Sequence, residues 1–334
     1  MKLLVLGGTH HVGRAVVEVA LARGDQVTTL TRGTSGPSAA GAEERHADRT
    51  DPAQLRAALG DDTWDAVIDT WSGAPRVVLD SGRLLADRAG HYGYVSSRSV
   101  HQWPLAVGAG ESAPVVDGDA ASDAGDDYAA AKRGGELAAI EAFGDRALLA
   151  RAGLILGPYE GVGRMPWWLR RIERGGDVVA PGPADMPLQY IDCRDLAAWM
   201  LTAADRGLGG AFSTVSQPGH ATMRSLLAAA VAAVGSDARL VWVAPEVIEA
   251  AGIEGWTELP VWVPPVGEAA GLHTGDVGKA YAAGLACRPV AETVADTWAW
   301  LQAEGDPPAS RPGRPRHGLD PDRERAVLAG LAAP

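Results

Sequence analysis

The sequence predicts an α/β protein, a doubly wound parallel sheet with a smaller region towards the C-terminus. Three observations predict it. The chain opens on an apolar run, Leu3-Leu4-Val5-Leu6, which breaks into a glycine-containing turn and then a helical pattern. Strand and helix patterns alternate through the first half. The second half loses that alternation and holds most of the tryptophans, among them Trp167, Trp168, Trp242, Trp256 and Trp262, with many prolines.

The opening turn is Gly7-Gly8-Thr9-His10-His11-Val12-Gly13. A helix follows from Arg14 to Arg23, ended by Gly24, and a second strand covers Gln26 to Thr31. Such a turn presents backbone N–H groups at a helix N-terminus, where a pyrophosphate can sit. Gly7 and Gly13 have the outer spacing of a G-x-x-G-x-x-G loop, with His10 at the middle glycine. The alternative is a tight turn in a fold without nucleotide. Next come a short strand near Arg45 to Ala47, the pair Asp48-Arg49, and a helix led by Asp51-Pro52. Ala66 to Thr70 reads as a buried strand, Pro75 to Arg88 as a helix and His91 to Ser96 as a strand. Gly108 to Asp127 is acidic, without apolar period, and reads as a loop. Tyr128 to Phe143 reads as a helix and Ala147 to Leu156 as a strand ending at Gly157-Pro158.

Further on, Gln189-Tyr190-Ile191 and Ala211 to Val215 read as strands returning to the main sheet. Glu292 to Gln302 reads as an amphipathic helix, and Asp306 to Asp320, rich in Pro, Arg and Gly, as a tail along the surface. The expected organisation is a dinucleotide-binding domain over residues 1–158, with 187–212 returning to it. A substrate-binding region takes 159–186 and 213–303, and a Pro/Arg-rich tail with a short helix takes 304–334. The tryptophans either line a substrate pocket or fill a second core.

Composition narrows the function. Hydrophobic content of 46% and charged content of 22% suit a soluble globular chain. No apolar run has the length to span a bilayer, and no signal peptide precedes the first strand, so a cytoplasmic address is expected. A net charge of −12 argues against nucleic acid as a partner. Cys193 and Cys287 have no metal or redox spacing and are expected to be buried thiols. His10-His11 has no third ligand in register, so no metal site is expected.

Tyr128 and Lys132 lie four apart at the start of a helix and so share a face. A phenol is a poor proton donor or acceptor at neutral pH, and a neighbouring ammonium improves it by favouring phenolate. Upstream, the strand Tyr92 to Val95 ends in Ser96-Ser97, and ligands bind off the C-terminal ends of strands in such sheets. A hydroxyl there can orient a substrate oxygen that the tyrosine protonates. The bland alternatives are turn-forming serines and a surface Tyr–Lys pair.

These segments together resemble the extended branch of the short-chain dehydrogenase/reductases, the NAD-dependent epimerase/dehydratase family. Val95-Ser96-Ser97-Arg98-Ser99-Val100-His101 resembles that family's V-S-S-x-x-V-Y segment, with Ser97 on its catalytic Ser/Thr. Arg151-Ala152-Gly153-Leu154-Ile155-Leu156-Gly157-Pro158 resembles its strand leading to G-P, and Pro187 to Asp192 with Asp195-Leu196-Ala197 its return strand and helix. The likeness covers roughly residues 1 to 303. The opening Gly-Gly-Thr-x-x-Val-Gly-Arg is closest to a sub-branch that includes chloroplast stem-loop-binding proteins. Three positions depart from the pattern: His10 for the middle glycine, His101 for the usual Tyr, and a residue near Val77 for the helical Asn of the proton relay.

The resemblance implies an NAD(P)-dependent oxidoreductase in which Ser97, Tyr128 and Lys132 serve a hydride transfer. It implies a cofactor held by Gly7, Thr9, His10, His11, Val12, Gly13, Asp48, Arg49, Thr70, Trp71, Ser72, Ser96, Lys132, Gly153 and Leu154. Leu30-Thr31-Arg32-Gly33 puts Arg32 where an acidic residue would hold the ribose of NAD. Arg32 can pair with a 2′-phosphate, which favours NADP; stacking of Arg32 on adenine would leave NAD. Two other functions stay open, a nucleotide-sugar epimerase with retained NAD and a cofactor-sensing or RNA-associated scaffold. A homodimer through the helices Pro75 to Arg88 and Asp127 to Phe143 is also implied, as is a small-molecule substrate.

Overall fold

The structure, a computed structural model, describes residues 1–334 apart from 35, 37, 307–316, 333 and 334. The first half builds β1 (Lys2–Leu6), α1 (His11–Ala22), β2 (Gln26–Thr31), β3 (Glu43–His46), α2 (Pro52–Leu59), β4 (Trp64–Asp69), α3 (Pro75–Leu85), β5 (Ala89–Ser97), α4 (Tyr128–Phe143) and β6 (Ala147–Ala152). The second half adds β7 (Leu154–Leu156), α5 (Arg164–Glu173), β8 (Asp177–Pro181), β9 (Pro187–Leu188), β10 (Tyr190–Asp192), α6 (Cys193–Asp205) and β11 (Gly210–Thr214). It closes with β12 (Ala221–Thr222), α7 (Met223–Val234), β13 (Arg239–Val243), α8 (Pro245–Ala250), α9 (Gly278–Ala282), α10 (Val290–Glu304) and α11 (Pro321–Ala332).

Seven strands form one parallel sheet in the order β11-β6-β5-β4-β1-β2-β3. The winding reverses between β1 and β4, which opens a crevice at their carboxyl ends. The strands are apolar on both faces because helices cover both. Leu3 and Val5 face α1 and α6, whereas Leu4 and Leu6 face α2, α3 and α4.

A separate core holds the second half together. Met165, Trp168, Leu169 and Ile172 of α5 pack with β8, α7, β13 and α10. Trp168 and Trp262 are fully buried, and Trp167, Trp242, Trp256, Trp298 and Trp300 pack against this cluster. The tryptophans therefore fill a second core, the plainer of the two expectations.

Two expectations need correction. The strand expected over Ala147 to Leu156 is two strands, broken at Gly153, where a Cβ would stand 2.9 Å from Val215 Cγ1. The strand at Tyr190 does not return to the main sheet; β10 pairs in parallel with β7, and only β11 joins the sheet, beside β6. The final segment carries a helix, α11, that packs on the second core. Glu324 of α11 is buried, accepts from Arg171 Nε at 2.5 Å and from Val179 N at 3.2 Å, and fixes α11 to the second core. Residues 307–316 of that segment lie outside the described residues.

Candidate active site

The glycine loop is shaped for close approach. Gly7 and Gly8 have φ of 123° and 121°, values that favour glycine. A Cβ on Gly7 would collide with Thr70 Oγ1, and one on Gly13 would stand 2.7 Å from Gly8 N. The loop thus folds onto itself and onto β4, leaving the N-terminus of α1 open for an anion. The cradle fits a dinucleotide pyrophosphate at these positions. His10 caps α1 in extended conformation with its side chain exposed. His11 turns the other way: its Nε2 is buried without a hydrogen-bond partner among the described residues, and burial lowers its pKa to about 4. A backbone hydrogen bond to Leu156 opposes that shift.

Arg32 is exposed just beyond β2 and close enough to Asp48 to help lower that carboxyl, after the hydrogen bonds from the Thr50 N–H and hydroxyl. Arg49 points inward instead. Its Nη1 and Nη2 each donate at 2.7 Å to the Asp69 carboxylate, and Nη2 donates to Ser81 Oγ at 2.9 Å. The side chain belongs to the interior, held by the carboxylate at the end of β4. Tyr92 Oη donates to Asp69 at 2.5 Å and Trp71 N at 2.9 Å. Burial alone would raise the Asp69 carboxyl, but Arg49, Tyr92 and the Trp71 N–H outweigh it and the pKa falls below 3.8. After β4, Thr70 Oγ1 donates to Leu6 O at 3.0 Å, Trp71 is half-buried and Ser72 is exposed.

Tyr128 and Lys132 occupy the first turns of α4, which Asp127 caps through Ala130 N at 3.0 Å. Tyr128 is 44% exposed; Lys132 is 3% exposed. Lys132 Nζ donates to Trp71 O at 2.6 Å and to Val95 O at 2.7 Å, and lies 4.8 Å from the centre of the Tyr94 ring. Burial lowers its pKa to about 7, against the pull of Asp69 and Glu136. The ring that the ammonium faces is thus that of Tyr94, which burial keeps protonated. Two glycines let α4 sit this close. A Cβ on Gly134 would stand 2.5 Å from Pro75 Cγ, and one on Gly135 would collide with Tyr94 Oη.

At the end of β5 the two serines divide their work. Ser96 Oγ donates at 2.8 Å to Glu136, so its side chain serves the interior. Ser97 Oγ accepts from Ser99 N at 3.1 Å, which leaves its own O–H as the group that can donate to a ligand. Glu136, fully buried, also receives Arg151 Nε at 2.8 Å and Nη2 at 2.9 Å, and Arg133 Nη1 at 2.9 Å. Val77, at the expected relay position, is buried in α3. His101 is buried, with Nδ1 3.3 Å from Ala113 O, and burial lowers its pKa. Gly153 and Leu154 sit at the break between β6 and β7, Leu154 in the second core.

Sequence reading did not foresee the ion pairs Arg49–Asp69 and Arg151–Glu136. Their one local signal is a charged residue inside an otherwise apolar strand, as in Val67-Ile68-Asp69 and Leu149-Ala150-Arg151. It also passed over Arg98, Gln189 and His273, which meet beside Ser97's strand end. No described helix is long and apolar enough to cross a membrane.

Known proteins place this geometry. No curated protein matches the sequence. Among solved structures, the Bordetella bronchiseptica enzyme WbmH in complex with NAD+ has a TM-score of 0.66 at 17% identity, covering 91% of this chain and 99% of that one. WbmG of the same organism, in complex with NAD and UDP, has a TM-score of 0.67 at 16% identity over 91% and 96%. UDP-glucose 4-epimerase of Thermotoga maritima with UDP-glucose has a TM-score of 0.66 at 15% identity over 91% and 99%. These likenesses show the fold. The family model "NAD dependent epimerase/dehydratase family" matches residues 3–213, most of the sheet and its strand-end residues, and the chain belongs to that family.

Proposed function

We propose that the protein is an NAD(P)-dependent oxidoreductase acting on a carbonyl or alcohol of a small molecule, with Ser97, Tyr128 and Lys132 as its working residues. The observation that carries this reading is the first turn of α4. An exposed phenol, Tyr128, stands one turn before a buried ammonium that is anchored to the carbonyls after β4 and within β5. When bound, the nicotinamide supplies or accepts the hydride. The Gly7–Gly13 loop and the N-terminus of α1 hold the pyrophosphate. Lys132 uses two of its three N–H donors on Trp71 O and Val95 O and has one left for a ribose hydroxyl. Ser97 Oγ orients the substrate oxygen, and Tyr128 Oη gives or takes its proton.

Exposed Arg32, in place of an acidic residue, supports NADP(H) over NAD(H) through a charge-assisted bond to the 2′-phosphate. Arg32→Asp should lower NADPH affinity by roughly ten- to a hundredfold and leave NADH affinity unchanged or improved. Reduced-cofactor fluorescence titration checks this, and equal wild-type affinity for both cofactors would contradict it. A second reading is epimerisation with a retained cofactor, supported by the epimerase among the structural neighbours. Nicotinamide released only on denaturing the purified protein would favour it.

Tyr128→Phe tests the main reading. It keeps the ring and removes the proton. Turnover of any accepted carbonyl should fall roughly 10²–10⁴-fold, with cofactor affinity nearly unchanged. Full activity in this variant would dismiss the assignment.

A further inference from the structure

Arg98 is a partly buried charge with no counterion among the described residues. Its Nη1 donates to Leu272 O at 3.1 Å and to Gln189 Oε1 at 3.3 Å. Its Nη2 is buried and has no partner among the described residues. No described carboxylate lies within ion-pair distance, whereas Arg49, Arg151 and Arg171 each have a buried one. Burial pulls the Arg98 pKa down to about 10, with nothing acidic offsetting it. The residues around it are neutral. Gln189 donates through Nε2 to Ser216 O and Gly275 O, both at 2.9 Å, and accepts from Gly275 N at 2.8 Å. His273 Nδ1 accepts from Gln189 N at 3.0 Å, and burial beside Arg98 lowers this histidine's pKa to about 4. The arginine as a whole remains partly exposed.

Leaving a guanidinium unpaired in such surroundings is costly unless something else supplies the anion. We propose that Arg98 binds the carboxylate of the substrate, and that the substrate is a short keto acid or the corresponding hydroxy acid. The inference rests on the oxidoreductase reading and names its substrate class. Two features select a carboxylate. One positive charge, flanked by imidazoles that stay neutral, balances a monoanion and not a dianion. Arg98 also directly follows Ser97 at the C-terminal end of β5, where ligands bind in such sheets. A planar guanidinium edge matches a planar carboxylate.

The test uses wild-type protein saturated with NADPH. Tryptophan fluorescence is titrated with a panel of short α-keto and β-keto acids, each against its methyl ester, and with inorganic phosphate. At least one acid should bind about tenfold or more tighter than its ester, and tighter than phosphate. Arg98→Met should erase that preference while ester binding and NADPH affinity stay as in the wild type. Arg98→Lys should keep part of it, because it keeps the charge and loses the fork. Three results would overturn the proposal: acids and esters binding alike, phosphate binding tightest, or an undiminished acid preference in Arg98→Met. If Arg98→Met does not fold, the wild-type acid–ester comparison and Arg98→Lys decide alone. Absence of binding of both NADPH and NADH would instead defeat the oxidoreductase reading, so the two failures are distinguishable.

Discussion

Two clusters of buried charge flank the candidate active site, and they are built on opposite plans. At the end of β4, Asp69 receives Arg49, Tyr92 and the Trp71 N–H, so every oxygen is engaged. At the end of β5, Arg98 meets two neutral oxygens and keeps a buried N–H₂ without a partner. The first cluster holds both signs of charge within the chain, and the one buried donor it leaves without a hydrogen-bond partner among the described residues is Arg49 Nε. This cluster holds the strand end after which Trp71 O receives Lys132. The second is incomplete within the chain, as a binding group is before its ligand arrives. A closed network reports on the fold, and an open one on what the fold is for.

Substitutions can separate the two. The largest effect on stability should come from Asp69→Asn, which leaves Arg49 buried without its anion. Equilibrium unfolding should show a loss of about 3–5 kcal/mol. The pH dependence carries a sign. The folded pKa of Asp69 lies below its ordinary 3.8, so its stabilisation is full above that value and is lost as pH falls through the folded pKa. Acid unfolding of Asp69→Asn should lack that part of the decline.

Lys132→Met probes a second pH window, with the same sign of slope. Burial lowers the folded pKa to about 7 from 10.5, so the unfolded chain holds the proton more tightly between those values. Wild-type stability should therefore rise with pH across that window, and the variant should lose this slope. Turnover and cofactor affinity should fall together in the same variant. Melting curves at a series of pH values, beside cofactor titration, check both.

The smallest effect on stability is expected at Arg98. Arg98→Met exchanges an unpaired, partly buried charge for an apolar side chain of similar length and should change unfolding stability by no more than about 1.5 kcal/mol. A loss as large as that of Asp69→Asn would make Arg98 a structural pin, and the contrast between the clusters would collapse.

Much of the fold was legible because it is written in local pattern. Asp127 before Tyr128 and Gly144 after Phe143 mark both ends of α4, and the predicted helix has the observed bounds. The glycine loop was legible because its strand and helix adjoin it in sequence. What was not legible is made by distant residues. Arg49 and Asp69 lie 20 residues apart, so the signal that marked Arg49 as a ligand contact could not show that β4 would claim it. The break at Gly153 was hidden inside an apolar run, since it answers to Val215, a residue that arrives much later in the chain. At the site, the Tyr128–Lys132 pair was readable by spacing and Ser97 by its strand end and the family resemblance, but the depth at which Lys132 is anchored was not. That depth depends on Trp71 and Val95, on two other strands' ends.

The paired glycines of α4 also bear on the order in which the molecule forms. Each glycine costs a free helix roughly 1 kcal/mol relative to alanine, and the segment of 16 residues is short for a helix standing alone. Gly134 and Gly135 make the segment a poor helix until Pro75 and Tyr94 are there to pack against. The turn that carries Tyr128 and Lys132 is therefore expected to condense late, after β4 and β5 have come together. Its amides should be among the less protected of the sheet domain in hydrogen exchange, and a nascent chain would place Tyr128 and Lys132 only once its interior is nearly complete.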